Sequence, residues 1–173
     1  MPRARLISFL CAICLFLAAI ENAIPEPLPF LRLGLANLPV ILSLFLLRRR
    51  EVFSLILFKV VSQGVISGTL FSYIFLFSSF GSFASGLFMM AGYELGKSNG
   101  RNLFSCVGIS LLGALANTFA QLILARFFLF GENTKYIAPI LLVSGLITGF
   151  ALGVFAEVFM RKSKWFIEVQ NEI

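Results

Sequence analysis

The stretch ENAIPEPLPFLRLGLAN, residues 21–37, decides how the rest of the chain is read. Three of the six prolines fall here, at Pro25, Pro27 and Pro29. Each fixes its own φ and drives its predecessor out of the α region. A helix arriving from the N-terminus must therefore stop near Ile24. Glu21, Asn22, Glu26 and Arg32 gather polar and charged groups at this break, between flanks that are almost wholly apolar. The stretch reads as an outward-facing loop between two hydrophobic segments, and as part of any ligand site.

Working outward from it, six apolar segments can be drawn, at about 6–24, 33–47, 52–66, 70–93, 103–130 and 137–160. A straight membrane span needs about 20 residues, so the second and third are short and the fifth is long. Short spans imply a thinned, tilted or partly re-entrant arrangement in which neighbouring helices bury the backbone. The composition agrees: 59% of residues are hydrophobic, 21 are Phe, and only 13% are charged. A soluble domain carries roughly a quarter charged residues, so this supply does not cover a water-facing surface. The expectation is a single integral membrane domain over residues 1–173, all-α, a six-helix polytopic bundle. The first segment, preceded by Arg3 and Arg5, has the outline of a secretory signal. It is long for one, and Glu21-Asn22-Ala23 lacks the small residue a cleavage site wants, so it reads as a retained span.

The net charge is +6, but the basic residues sit in short clusters at the ends of apolar runs rather than on a phosphate-binding face, which argues against nucleic acid. Arg3 and Arg5 precede the first span, Arg48, Arg49 and Arg50 follow the second, Lys97 and Arg101 follow the fourth, and Arg161, Lys162 and Lys164 follow the sixth. The alternate connectors hold only Arg32 and Lys135. Cytoplasmic loops concentrate Lys and Arg, so both termini are expected in the cytoplasm, in a bacterial inner membrane.

The chain has no His, and all eight of its acidic residues are Glu. That removes most metal-site and acid–base chemistry, and neither a metal nor another cofactor is expected. Cys11, Cys14 and Cys106 lie within apolar runs; the Cys11-Ala-Ile-Cys14 spacing lacks the βαβ setting or second ligand pair of a redox or zinc motif, and the three read as small packing residues.

Polar groups inside a membrane are costly, and each invites a functional reading. Lys59 and Gln63, at i and i+4, share a face of the third span. Gly113, Asn117 and Gln121 form a stripe on the fifth, with Arg126 beyond. With Glu21 and Asn22 at the end of the first span, these groups are expected to converge on an outward-opening pocket roofed by the proline-rich loop. The plainer reading is that Glu21 pairs with Lys59 or Arg126, and that Asn117 and Gln121 are interhelical hydrogen bonders. A cavity holding Lys59 and Arg126 would favour an anionic or carbonyl-rich ligand, unless Glu21 neutralises it. Gly145, Gly149 and Gly153 on the sixth span form a small-residue stripe, and Ser8 with Ala12, and Ala19 with Ala23, smooth the first. Such faces let backbones approach closely, either within the bundle or against a separate membrane subunit.

Glu21-x-x-Ile24-Pro25, the proline-rich turn and Arg32-Leu-Gly-Leu-Ala-Asn37 resemble a bacterial family of small membrane proteins known as Gx transporters or heptaprenyl diphosphate synthase component I. Gly68-Thr-Leu-Phe-Ser72, Gly108 to Asn117 with Gln121, and Ser144-Gly-Leu-Ile-Thr-Gly149 add to the resemblance, which covers about residues 6–160. It implies kinship with the substrate-capture (S) components of energy-coupling-factor transporters. Those are six-helix proteins that bind a vitamin or similar small molecule from outside, and that pair with a scaffold subunit and two ATPases. The binding set expected from the residues is Glu21, Asn22, Arg32, Asn37, Lys59, Gln63, Asn117, Gln121 and Arg126, with Lys59 standing where the family usually has Arg. The synthase label makes a different demand, since carboxylates must bridge Mg²⁺ to a diphosphate. A chain without Asp is not the catalytic subunit, so the expectation is no enzyme, and at most a membrane accessory of isoprenoid synthesis. A structural subunit of a redox complex is a third reading; the lack of His argues against bis-His haem.

Overall fold

The computed structural model describes residues 3–23, 34–98 and 105–172, and the elements within them are all helical. They are α1 (Arg3–Ala23), a 3₁₀ turn (Leu35–Asn37) running straight into α2 (Leu38–Leu46), α3 (Arg49–Ile66), α4 (Tyr73–Ser98), α5 (Cys106–Ala125), α6 (Thr134–Lys162) and α7 (Lys164–Glu172). The proline-rich segment, with Pro25, Pro27, Pro29 and Arg32, lies outside the described residues, so the expected roof does too.

Three stretches are long and apolar enough to cross a membrane: Ala4–Ala23, Tyr73–Lys97 and Cys106–Lys162. The last has 57 residues, about 85 Å as a straight helix and nearly three times a bilayer core. It folds back at a π-type turn over Arg126–Phe130 and a 3₁₀ turn over Gly131–Asn133. The fifth segment therefore ends as a regular helix at Ala125, short of the expected residue 130. Glycine sets the fold-back contact: Gly145 faces Thr118, Gly149 faces Ala114 and Gly153 faces Val107, so α5 and α6 run antiparallel. A Cβ on Gly153 would stand 2.6 Å from the Val107 Cα, closer than two carbons approach. The glycine stripe is thus internal packing, whereas Ser8, Ala12 and Ala19 lie exposed on α1.

The second segment departs most from a plain span. Leu35–Leu46 is about 18 Å long at 1.5 Å per residue, little more than half a bilayer core. The Cys14 thiol lies 3.7 Å from the Ala36 carbonyl oxygen, so the turn starts level with the middle of α1. Seven of the nine α2 residues are buried, and α2 touches all six other helices. A half-depth helix is sustained because its neighbours wrap it, and the space above its first turn is left for other groups.

The third helix begins earlier than expected because the Glu51 carboxylate accepts from the Arg48 backbone N–H at 2.8 Å, closing its first turn. It ends at Ile66, two residues before Gly68, whose φ of 63° lies in the left-handed region that terminates helices. Its polarity is inside-out: Lys59 and Gln63 are buried, while Phe53, Leu57, Phe58, Val61 and Val65 are exposed. That arrangement suits a surrounding solvent of lipid. One end of the bundle collects the basic side chains. Arg49 at the start of α3 clamps Glu94 near the end of α4 at 2.6 and 2.5 Å, and Arg161 pairs with Glu157 at 2.8 Å. At this end α7, which the hydrophobic pattern does not announce, buries Phe166 and Val169 in the core shared by Leu6, Leu10 and α2, and Trp165 packs on Phe9 at 5.1 Å.

Candidate functional site

At the opposite end, α1, the Gly34–Asn37 turn, α3, α4 and α5 bring their polar side chains together. The last turn of α1 turns Glu21 inward, 2% exposed, and its Oε1 accepts from the Gly34 N–H at 2.6 Å. That bond draws the start of the α2 segment against α1. Lys59, 4% exposed, donates from α3 to Asn37 Oδ1 and, at 3.3 Å, to Ser82 Oγ on α4. On α5, Gln121 Nε2 donates to Asn117 Oδ1 at 3.4 Å. Gly81 of α4 lies opposite this amide pair, and a Cβ there would displace the Asn117 amide from its present position.

These groups enclose a cavity of about 20 Å³ lined by Glu21, Asn37, Lys59, Gln63, Asn117 and Gln121 together with Gly34, Ala36, Ser78 and Ser82. Gly34, Asn37, Asn117 and Gln121 also line a second cavity of about 190 Å³ between α2, α4, α5 and α6. Its remaining walls are hydroxyls (Ser85, Ser110, Thr118, Ser144, Thr148) interleaved with apolar side chains such as Ile41, Met89 and Leu141. The smaller space holds about one water, the larger the body of a small molecule. Among the described residues two buried polar atoms have no hydrogen-bond partner, Glu21 Oε2 and Ser85 Oγ, one in the lining of each cavity. Leaving a buried polar atom unmatched costs about 1–3 kcal/mol, so both cavities carry unmet hydrogen-bonding capacity in their walls.

The structure thus gathers Glu21, Asn37, Lys59, Gln63, Asn117 and Gln121. It does not gather two others expected with them. Asn22 follows Glu21 by one residue and points outward, exposed. Arg126 lies at the edge of α5, where it pairs with Glu132 at 2.8 Å with both side chains largely exposed. The expectation of a cavity holding both Lys59 and Arg126 is corrected accordingly: among the described residues, the polar cavity is lined by one basic side chain, Lys59, and one acidic, Glu21. The hydroxyls on α4, α5 and α6 were missed. Ser144 and Thr148 do fall inside the Ser144–Gly149 motif, but both also bond their own helix backbone, which hides them among ordinary helical residues. Another cavity of about 430 Å³ lies at the basic end, beside Tyr93, Lys97, Ser105 and Arg161, where Arg161 is already engaged by Glu157.

No curated protein and no solved structure matches the chain. A family profile does, that of heptaprenyl diphosphate synthase component I, over residues 10–159. That is most of the chain, and it includes every residue that lines the polar cavity. By this match the all-helical, apolar chain belongs to the heptaprenyl diphosphate synthase component I family.

Proposed function

We propose that the chain is a substrate-capture subunit of a membrane transporter, similar to the S components of energy-coupling-factor systems. It takes a small molecule such as a vitamin or cofactor precursor from outside a bacterial cytoplasmic membrane. The observation that carries this reading is the pair of adjoining buried cavities above the half-depth α2, the polar one with the unmatched Glu21 Oε2 in its lining and the larger one with Ser85 Oγ. Transmembrane polar groups that face inward and enclose space line substrate paths. With the basic end in the cytoplasm, as the distribution of Lys and Arg suggests, the cavity lies in the outer half. The chain carries no Asp, His or nucleotide-binding motif, so movement inward would fall to a partner, a transmembrane scaffold with ATPases. The exposed small-residue face of α1, with Ser8, Ala12 and Ala19, offers a smooth surface for it. Native mass spectrometry of the protein from its own membranes tests the reading: wild type should retain a small molecule that Gln121→Leu and Asn117→Leu release. Identical spectra from all three would remove it.

The family description favours a second reading, a non-catalytic membrane accessory in polyprenyl diphosphate synthesis. It requires that a soluble, Asp-rich synthase copurify with the chain and elongate faster in its presence; purification without such an enzyme would dismiss it.

A further inference from the structure

We infer that the larger cavity, of about 190 Å³, selects a ring-sized molecule through an edge that carries a hydrogen-bond acceptor beside a donor, as the carbonyl and N–H of a cyclic amide do. The inference rests on the capture reading and names its ligand class. An engineered cavity of about 150 Å³ takes up benzene, so 190 Å³ accommodates one ring with small polar substituents. What the walls offer that ring follows from where their own protons and lone pairs are already spent.

Ser144 and Thr148 stand one turn apart on the α6 face that lines the cavity from Leu141 to Leu152, and both are partly exposed. The Thr148 hydroxyl donates to the carbonyl oxygens of Ser144 at 3.0 Å and Gly145 at 3.2 Å, and the Ser144 hydroxyl donates to that of Leu141 at 3.0 Å. A hydroxyl has one proton, so these two have oxygen lone pairs left to offer. One that turned its proton to a ligand carbonyl would give up the helix carbonyl it now serves. Asn37 is fixed the opposite way. An ammonium only donates, and Lys59 donates to Asn37 Oδ1, so Nδ2 is the half of that amide turned away from Lys59. Nδ2 lies 3.0 Å from where a Cβ on Gly34 would stand, and Leu152 Cδ1 lies 3.8 Å from the same point. Thr148 is one turn from Leu152, so the donor amide and the acceptor hydroxyls meet at one level of the cavity. A molecule held there turns a C=O toward Asn37 and an N–H toward Thr148 and Ser144. Adjacent atoms of a lactam or cyclic imide carry that pair in one plane. A lactone keeps the C=O but sets a ring oxygen against the hydroxyl lone pairs, and a site built for the N–H rejects it.

The test uses full-length protein in nanodiscs and two fluorinated probes of matched shape, a fluoroisoindolinone (lactam) and the corresponding fluorophthalide (lactone), which differ by N–H against O. Fluorine NMR line broadening at millimolar concentration follows binding, with empty nanodiscs as the reference for partition into lipid. The lactam should bind about tenfold more tightly than the lactone. Thr148→Val keeps the side-chain shape and removes the hydroxyl; it should weaken the lactam several-fold, and Thr148→Val/Ser144→Ala should abolish the preference for it. Thr148→Ser, which restores a hydroxyl, should keep the preference. Equal affinity for the two probes, a preference that survives in the double variant, or no binding of the lactam overturns the inference. If a retained molecule is nonetheless released by Gln121→Leu and Asn117→Leu, the cyclic-amide edge is refuted and the capture reading stands. If no retained molecule depends on Gln121 either, the capture reading falls with it.

Discussion

Replacing Lys59 by Met and replacing Arg126 by Met each remove one positive charge, yet the two should differ several-fold in effect. Arg126 and its partner Glu132 have side chains 63% and 82% exposed, and such a pair contributes about 0–1 kcal/mol. Lys59 is 4% exposed, and Met loses its hydrogen bonds to Asn37 and Ser82, worth about 0.6 kcal/mol apiece in a membrane bundle. Its removal also leaves Glu21 as the one charged side chain lining the cavity among the described residues, and an uncompensated charge at membrane depth costs about 2.5–3.5 kcal/mol near the bilayer centre, less toward the interface. Together these suggest about 3 kcal/mol for Lys59→Met, or roughly 6–12 °C in melting temperature for a chain of this size. Thermal unfolding in one detergent, followed by the fluorescence of the single tryptophan, Trp165, reads the difference. The double variant Glu21→Gln/Lys59→Met should recover about 1 kcal/mol or more, because both charges are then gone. If Lys59→Met melts with Arg126→Met, or if the double variant melts no higher than Lys59→Met, the two charges are not held in one buried site.

Three further outcomes follow from the packing. Gly153→Ala should destabilise by about 1–2 kcal/mol after the roughly 1 kcal/mol helix-propensity gain, because its Cβ meets Val107 backbone. Gly92→Ala should be neutral or stabilising, since only the flexible tip of Leu112 is near; the reverse order would contradict the α5–α6 contact. Phe166→Ala should cost about 3–5 kcal/mol by circular-dichroism melting, as Phe166 is 2% exposed in the main core; a loss under 1 kcal/mol would detach α7 from the bundle. In a chain with Cys11, Cys14 and Cys106 replaced by Ala, a membrane-impermeant maleimide should label Lys135→Cys in intact cells and Lys97→Cys only after permeabilisation, and the opposite pattern would invert the orientation.

The inward set was legible because membrane burial simplifies the reading of helix faces. Lys59 and Gln63 lie one turn apart, and in lipid a polar face turns toward the bundle. Asn117 and Gln121 followed by the same spacing. Asn22 failed on the same geometry: one residue beyond Glu21 is a rotation of about 100°, enough to carry a side chain from the core to the surface. Arg126 is five residues past Gln121, about 140° off its face, and it begins a π-type turn that rotates it further. The half-depth course of α2 was legible only as shortness. Whether a short apolar run crosses or stops depends on whether neighbours bury its ends, and six helices converging on Leu38–Leu46 is a property of their crossings. The hydroxyls of the larger cavity were hidden for a related reason. Thr118, Ser144 and Thr148 satisfy their own helix backbone, so nothing in their local sequence marks them as cavity walls.

The distribution of charge separates the two functional readings by place. A diphosphate carries several negative charges and is held by several cations. The polar cavity has Lys59 beside Glu21, and no second basic side chain lines it among the described residues. Arg48, Arg49, Arg50, Lys97 and Arg161 stand exposed at the other end, at the ends of helices where a soluble enzyme would reach them. An accessory role in making a polyprenyl diphosphate would therefore act through the basic end and leave the buried cavity without a task. Capture of a small molecule uses the cavity and leaves the basic end to fix orientation. Charge reversal at Lys97 and Arg161 should then abolish any stimulation of a synthase and leave Gln121-dependent ligand retention intact. Loss of retention in those variants would mean that the two ends work as one site.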